Sequence, residues 1–116
     1  MNKRCKILII DKKNNYSVLF NGLRKNKFTI NSITSSLVKN TELMLFETSI
    51  FFVVLYEPKD IIQLVKLAPI SKSIIIGTVN KRLFSSLQSI QDYPIVNLSP
   101  GVHLMSNLQD ALSRFY

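Results

Sequence analysis

One cysteine, three glycines and seven acidic residues among 116 exclude several function classes at once. A lone Cys5 forbids an internal disulfide and leaves no CxxC pair, so neither a disulfide scaffold nor a cysteine-based zinc site is available. With so few glycines there is no GxGxxG and no phosphate-binding loop. The turn after the first apolar run reads Asp11-Lys12-Lys13-Asn14-Asn15, whose side chains keep a pyrophosphate away from the backbone. A flavin-binding loop rich in glycine and hydroxyls is missing as well. His103 is the only histidine and has no second ligand at metal spacing, so it reads as an ordinary surface or half-buried side chain. No apolar run reaches the roughly 18 to 20 residues that span a bilayer. The first apolar run is cut short by Asp11 and two lysines, unlike a signal peptide, and the expected location is cytoplasmic.

What the chain has is basic charge and short apolar runs. Fifteen Lys and Arg give a net charge of +8. Such a charge invites a nucleic-acid reading. The distribution opposes it: eight of the fifteen fall between Lys3 and Lys27, the rest are scattered, and no basic helical stripe or aromatic platform accompanies them. An apolar fraction of 47% supports one globular domain over residues 1–116.

Ile7-Leu8-Ile9-Ile10, Ile50 to Leu55 and Ser73 to Ile76 read as buried parallel strands. Phe28 to Asn31 alternates as an edge strand does, and Tyr93 to Leu98 is a weaker fifth strand. Helical spacing recurs between them. Tyr16, Leu19, Phe20 and Leu23 mark a first helix, capped by Asn14 or Asn15 and ending near Lys25-Asn26. Residues 35–46 form a second. Ile61, Ile62, Leu64, Val65 and Ala68 follow Pro58 as a third, ended by Pro69. Leu83, Phe84, Leu87 and Ile90 mark a fourth, and Leu104 to Phe115 a fifth. Strict alternation of five strands and five helices predicts an α/β fold, a doubly wound parallel sheet with helices on both faces. In such sheets the chemistry lies at the carboxyl ends of the strands. There the third strand delivers Tyr56, followed by Glu57-Pro58.

By element order, length and marker positions, essentially the whole chain resembles the receiver domain of two-component response regulators. The resemblance implies flavodoxin-like strand order 2-1-3-4-5. It also implies a phosphorylation site whose parts can be checked one by one. Asp11 matches the first of two acidic magnesium ligands, and Lys12 replaces the second. Tyr56 stands where the phosphorylated aspartate belongs. Thr78 matches the hydroxyl residue ending the fourth strand. Val96 stands where an aromatic or histidine partner of that hydroxyl is usual. Ser99 replaces a lysine, while Pro100 keeps the proline after it, with a cis bond implied by the resemblance. The pocket is therefore degenerate. A phenol of pKa about 10 is a poor acceptor, and magnesium wants one or two carboxylates. Glu57 helps only if the strand has already ended. Lys12 either pairs with Asp11 or Glu57, its ammonium standing where a metal would sit, or points to water, as Lys13 is expected to do.

The expected function is a pseudo-receiver: a non-enzymatic signalling or protein-interaction domain that needs no cofactor or metal. It would act through a protein partner or a homodimer on the face of the fourth helix, fifth strand and fifth helix. Lys81, Arg82, Phe84, Tyr93, Asn107 and Arg114 are the interface candidates. The resemblance adds an attached DNA-binding output domain and a role in transcription regulation, should the chain be the N-terminal part of a longer regulator. The competing readings are a phosphoacceptor using a non-standard site with magnesium, and a basic nucleic-acid-binding module.

Overall fold

The first strand, β1 (Cys5–Ile10), is hydrogen-bonded on both sides, and its last four side chains are buried. A strand flanked this way and covered on both faces must be apolar at consecutive positions, which is what Ile7 to Ile10 supply. The computed structural model describes residues 5–22, 28–34, 50–69, 72–89, 93–99, 101 and 103–115. Among them β2 (Phe28–Ile33), β3 (Ile50–Val54), β4 (Ile74–Thr78) and β5 (Ile95–Asn97) complete an all-parallel sheet of order β2-β1-β3-β4-β5. The expected α/β fold and strand order are therefore present.

Side-chain alternation along each strand divides the core into two layers. Ile7, Ile9, Phe52, Val54 and Ile75 meet Phe20, Leu108 and Leu112 on one face. Leu8, Phe51, Val53, Ile74 and Ile76 meet Leu67, Leu83 and Leu87 on the other. Helices thus cover both faces. The 3-10 helix Ser17–Gly22 and α3 (Leu104–Ser113) lie on the first. On the second lie α1 (Ile62–Leu67) and α2 (Lys81–Gln88). The helix α2 starts where Asn80 caps it, accepting the Leu83 N–H at 3.1 Å.

Two helical expectations differ from the structure. The segment after β1 is 3-10 over Ser17–Gly22, and its expected end near Lys25-Asn26 lies outside the described residues, as does the helix expected over 35–46. The face of α1 is shifted too. A 3-10 turn, Pro58–Ile61, precedes the helix and changes its phase. Core contact then recurs every three residues, at Ile61, Leu64 and Leu67, and leaves Ile62 and Val65 57% and 66% exposed.

Gly77 shows how tightly β4 is packed. A Cβ there would lie 2.7 Å from Cζ of Phe52 and 2.9 Å from Cδ1 of Leu98, closer than carbon atoms approach. Phe52 is held from its other side by Phe20, edge to face at 5.0 Å between ring centroids. Gly77→Ala should therefore destabilise the domain by about 1–3 kcal/mol. Urea unfolding followed by circular dichroism tests this, and an unchanged midpoint would show that the layer has room to give.

Candidate functional site

The register Ile10↔Val53 brings the carboxyl ends of β1 and β3 side by side, so the segments that follow each strand meet at one sheet edge. Asp11 is the first residue past β1 and is only 1% exposed. A carboxylate taken this far from water needs a full set of donors, and the chain supplies them locally. The Asn14 N–H closes a turn onto the Asp11 carbonyl at 3.0 Å, helped by Asn14 sitting at φ 53°, a left-handed conformation that asparagine tolerates. That turn folds the next main-chain amides back over the carboxylate. Oδ1 accepts the Lys13 N–H at 3.1 Å, and Oδ2 accepts those of Asn15 at 2.9 Å and Tyr16 at 3.0 Å. Asn14 itself takes the Ser17 hydroxyl at 3.1 Å.

The fourth donor to Asp11 is the phenol of Tyr56, which gives its hydrogen bond to Oδ1. The pKa of Tyr56 is pushed up, first by burial and then by the hydrogen bond to Asp11 and that residue's charge. It stays protonated and remains a donor. Its ring lies 6.2 Å from that of Tyr16, with the ammonium of Lys13 4.9 Å from its centroid. Lys13 is exposed, yet it sits over an aromatic face instead of simply extending into water.

Lys12 is ion-paired. Its ammonium is 2.8 Å from Oδ1 of Asp60 and 3.5 Å from Oε2 of Glu57. Glu57 reaches it because β3 ends at Val54 and the chain has turned; Lys59 also approaches Glu57, at 3.2 Å. The principal partner, Asp60, was not among the residues expected at the site. Its signal was in the sequence: Glu57-Pro58-Lys59-Asp60 places proline first and a carboxylate third in a helical turn, a pattern in which the acid folds back on the amides that start the turn. Oδ2 of Asp60 accepts the N–H groups of Tyr56 at 2.8 Å and Glu57 at 3.0 Å. Burial pushes the Asp60 pKa upward, but Lys12 and the two amides outweigh it and hold the carboxyl below its ordinary value. The Lys12 pKa is raised by the same hydrogen bond.

The remaining members of the expected pocket do other work. The Thr78 hydroxyl donates to the Leu55 carbonyl at 2.7 Å and accepts the Asn80 N–H at 3.1 Å, so it fastens the end of β4 to the end of β3. Val96 is buried in the core layer with Leu98 and Leu108. The Ser99 N–H is taken by Oδ1 of Asn97 at 2.9 Å. Pro100 and its expected cis bond lie outside the described residues. His103 is exposed at the start of α3.

These residues do not fit the magnesium ion that the receiver resemblance implies. The oxygens of Asp11 already accept four hydrogen bonds, those of Asp60 accept three, and the ammonium of Lys12 stands between the two loops.

A concave feature lies along β5, the strand at one lateral edge of the sheet. A groove of about 330 Å³ runs between α2, β5 and α3, lined by Phe84, Asn107 and Arg114 of the expected interface set, together with Ile95, Asn97 and Asp110. Lys81 and Arg82 are exposed on the first turn of α2. Tyr93 is half-buried against the layer that contains Leu83 and Leu87.

Two measurements test this geometry. Removing the Tyr56 hydroxyl in Tyr56→Phe should cost about 1–2 kcal/mol, since a buried carboxylate loses a donor. Because the Tyr56 pKa is raised in the fold, its contribution is complete below the ordinary phenol value of about 10 and fades as pH rises through the folded value. An alkaline absorbance titration should show Tyr56 ionising late. The depressed Asp60 works in the opposite sense: its contribution is complete above about pH 4 and is lost as pH falls through the folded value. Asp60→Ala should cost about 2 kcal/mol, because two main-chain amides lose their acceptor as well as Lys12 its partner. Lys12→Met should cost distinctly less in the same urea titration. Equal costs would make the ion pair, and not the amide cradle, the main role of Asp60.

Scanned against protein-family models, the chain matches none, and a search of curated proteins finds no match. The parallel sheet of order 2-1-3-4-5 with helices on both faces is consistent with the flavodoxin-like fold that receivers share, and no helix among the described residues is long and apolar enough to cross a membrane.

Proposed function

We propose that this chain is a non-catalytic signalling or protein-interaction domain of the pseudo-receiver kind, one that does not accept a phosphoryl group in the usual way. The observation that carries this reading is the phenol of Tyr56 seated on the carboxylate of Asp11. Acyl phosphate formation requires a carboxylate nucleophile, a divalent ion and cations around the moving phosphoryl group. At this edge the nucleophile's position holds a phenol whose raised pKa keeps it neutral, and the acidic residue beside it is engaged by four donors. Of the two lysines beside it, Lys12 is bound to Asp60 and Lys13 lies over the face of the Tyr56 ring.

The loops that would respond to phosphate are instead joined to each other, Lys12 to Asp60 and Tyr56 to Asp11. The domain then presents one constant surface. The face of α2, β5 and α3 is where a protein partner or a second copy would bind. In a longer regulator this face would pass its state to an attached DNA-binding output domain and so take part in transcription regulation. The two lysines nearest the strand ends are turned onto Asp60 and the Tyr56 ring, which weighs against a nucleic-acid surface at that edge.

Incubation with an acyl phosphate donor and magnesium should leave the intact mass unchanged. A gain of one phosphoryl group that disappears in Asp11→Asn would overturn the reading in favour of a non-standard phosphoacceptor.

A further inference from the structure

The open edge of β5 forms one wall of the groove, and its hydrogen-bonding phase is set by its partner. The Ile76 N–H donates to the Pro94 carbonyl at 3.0 Å, and the Leu98 N–H donates to the Thr78 carbonyl at 2.9 Å. With the register Ile76↔Ile95 and Thr78↔Asn97, Pro94, Val96 and Leu98 direct their main-chain groups toward β4. The N–H and C=O groups of Ile95 and Asn97 therefore face outward, and among the described residues they have no partner. Both residues line the groove, whose wall on the α2 side is Phe84 and whose wall on the α3 side includes Ala111 and Arg114.

Among the described residues, the cations Arg114, Lys81 and Arg82 outnumber the acids around this edge. Arg114 lines the groove, and Lys81 lies one turn before Phe84 on α2; neither makes an ion pair among the described residues. Among the described residues of the lining Asp110 is the one acid. The chain as a whole carries +8, so a second copy approaches against like charge while an acidic chain is drawn in.

We infer that this groove takes an extended acidic segment of a partner protein, which adds to β5 as a sixth strand. Its main chain pairs with the outward groups of Ile95 and Asn97. Alternate side chains divide between the apolar wall at Phe84 and Ala111 and the cations Arg114 and Lys81. This rests on the interaction-domain reading and specifies the partner that the α2-β5-α3 face receives.

The test uses a dye-labelled peptide of alternating glutamate and valine, with a lysine-valine peptide as its charge control. The acidic peptide should bind, shift the amide signals of Ile95 and Asn97 and slow their hydrogen exchange, while the lysine peptide should not bind. Asn97→Pro removes an outward N–H without breaking a bond to β4, and it should weaken binding about tenfold. Arg114→Glu should weaken binding by a similar factor. A peptide N-methylated at alternate amides should fail to bind the unaltered protein, a result that does not depend on any variant folding. Absence of binding, equal binding of the lysine or methylated peptide, or shifts confined to another face would overturn the inference. Sedimentation separates its failure from that of the broader reading. A dimer disrupted by Arg114→Glu that excludes the acidic peptide would sink the strand-addition proposal and leave the interaction domain standing.

Discussion

A single buried carboxylate organises the carboxyl edge of this sheet. Asp11 follows directly on β1, and the depth of that strand removes it from water. An ionised group so placed is tolerated only when its oxygens are surrounded by donors. Three main-chain amides and one phenol meet that demand. The amides can converge only if the chain turns at Asn14, and the phenol can arrive only if β3 ends two residues before Tyr56. The shape of the first loop, the end of the third strand and the neutrality of the tyrosine thus follow from one electrostatic requirement.

Lys12 and Asp60 extend the same logic to the neighbouring loop. Asp60 collects the two amides released when β3 ends and presents its other oxygen to Lys12. The turn after β3 is therefore tied to the turn after β1 by two separate links, a charged one and a phenolic one. Thr78 adds a third fastening, between β3 and β4, through a hydroxyl that donates and accepts at once. Three neighbouring strand ends are thus cross-linked by side chains.

The sheet was legible in the sequence because its signal is local. Runs of β-branched and aromatic residues such as Ile7 to Ile10 and Phe51 to Val54 have no other sensible home than a strand buried on both faces. The alternation of elements then restricts the topology. Helical phase was less legible. Ile62 and Val65 look like core residues by composition, and the 3-10 turn beginning at Pro58 explains why Leu67 joins Ile61 and Leu64 at the interior in their place. The site was half legible. Tyr56, Asp11 and Lys12 could be placed at one edge from strand order alone, and Glu57 could be named as one partner of Lys12, but its principal partner could not. Asp60 belongs to a turn whose geometry depends on where the strand stops, and strand ends are the least determined feature of a sequence pattern.

The tyrosine at the end of β3 also limits what could stand in its place. Exchanging the phenol for a carboxylate would set two acids against each other, with the amides of the first loop already committed to one of them and Lys12 held by a third. Like charges at that distance raise the pKa of one partner and favour a protonated, unreactive pair. A carboxylate at residue 56 would therefore be accommodated only if Lys12, Asp60 or the turn after β1 changed with it. The residues of this edge are coupled, so that substituting one alters what the others can be, whereas positions on the outer surface can change one at a time.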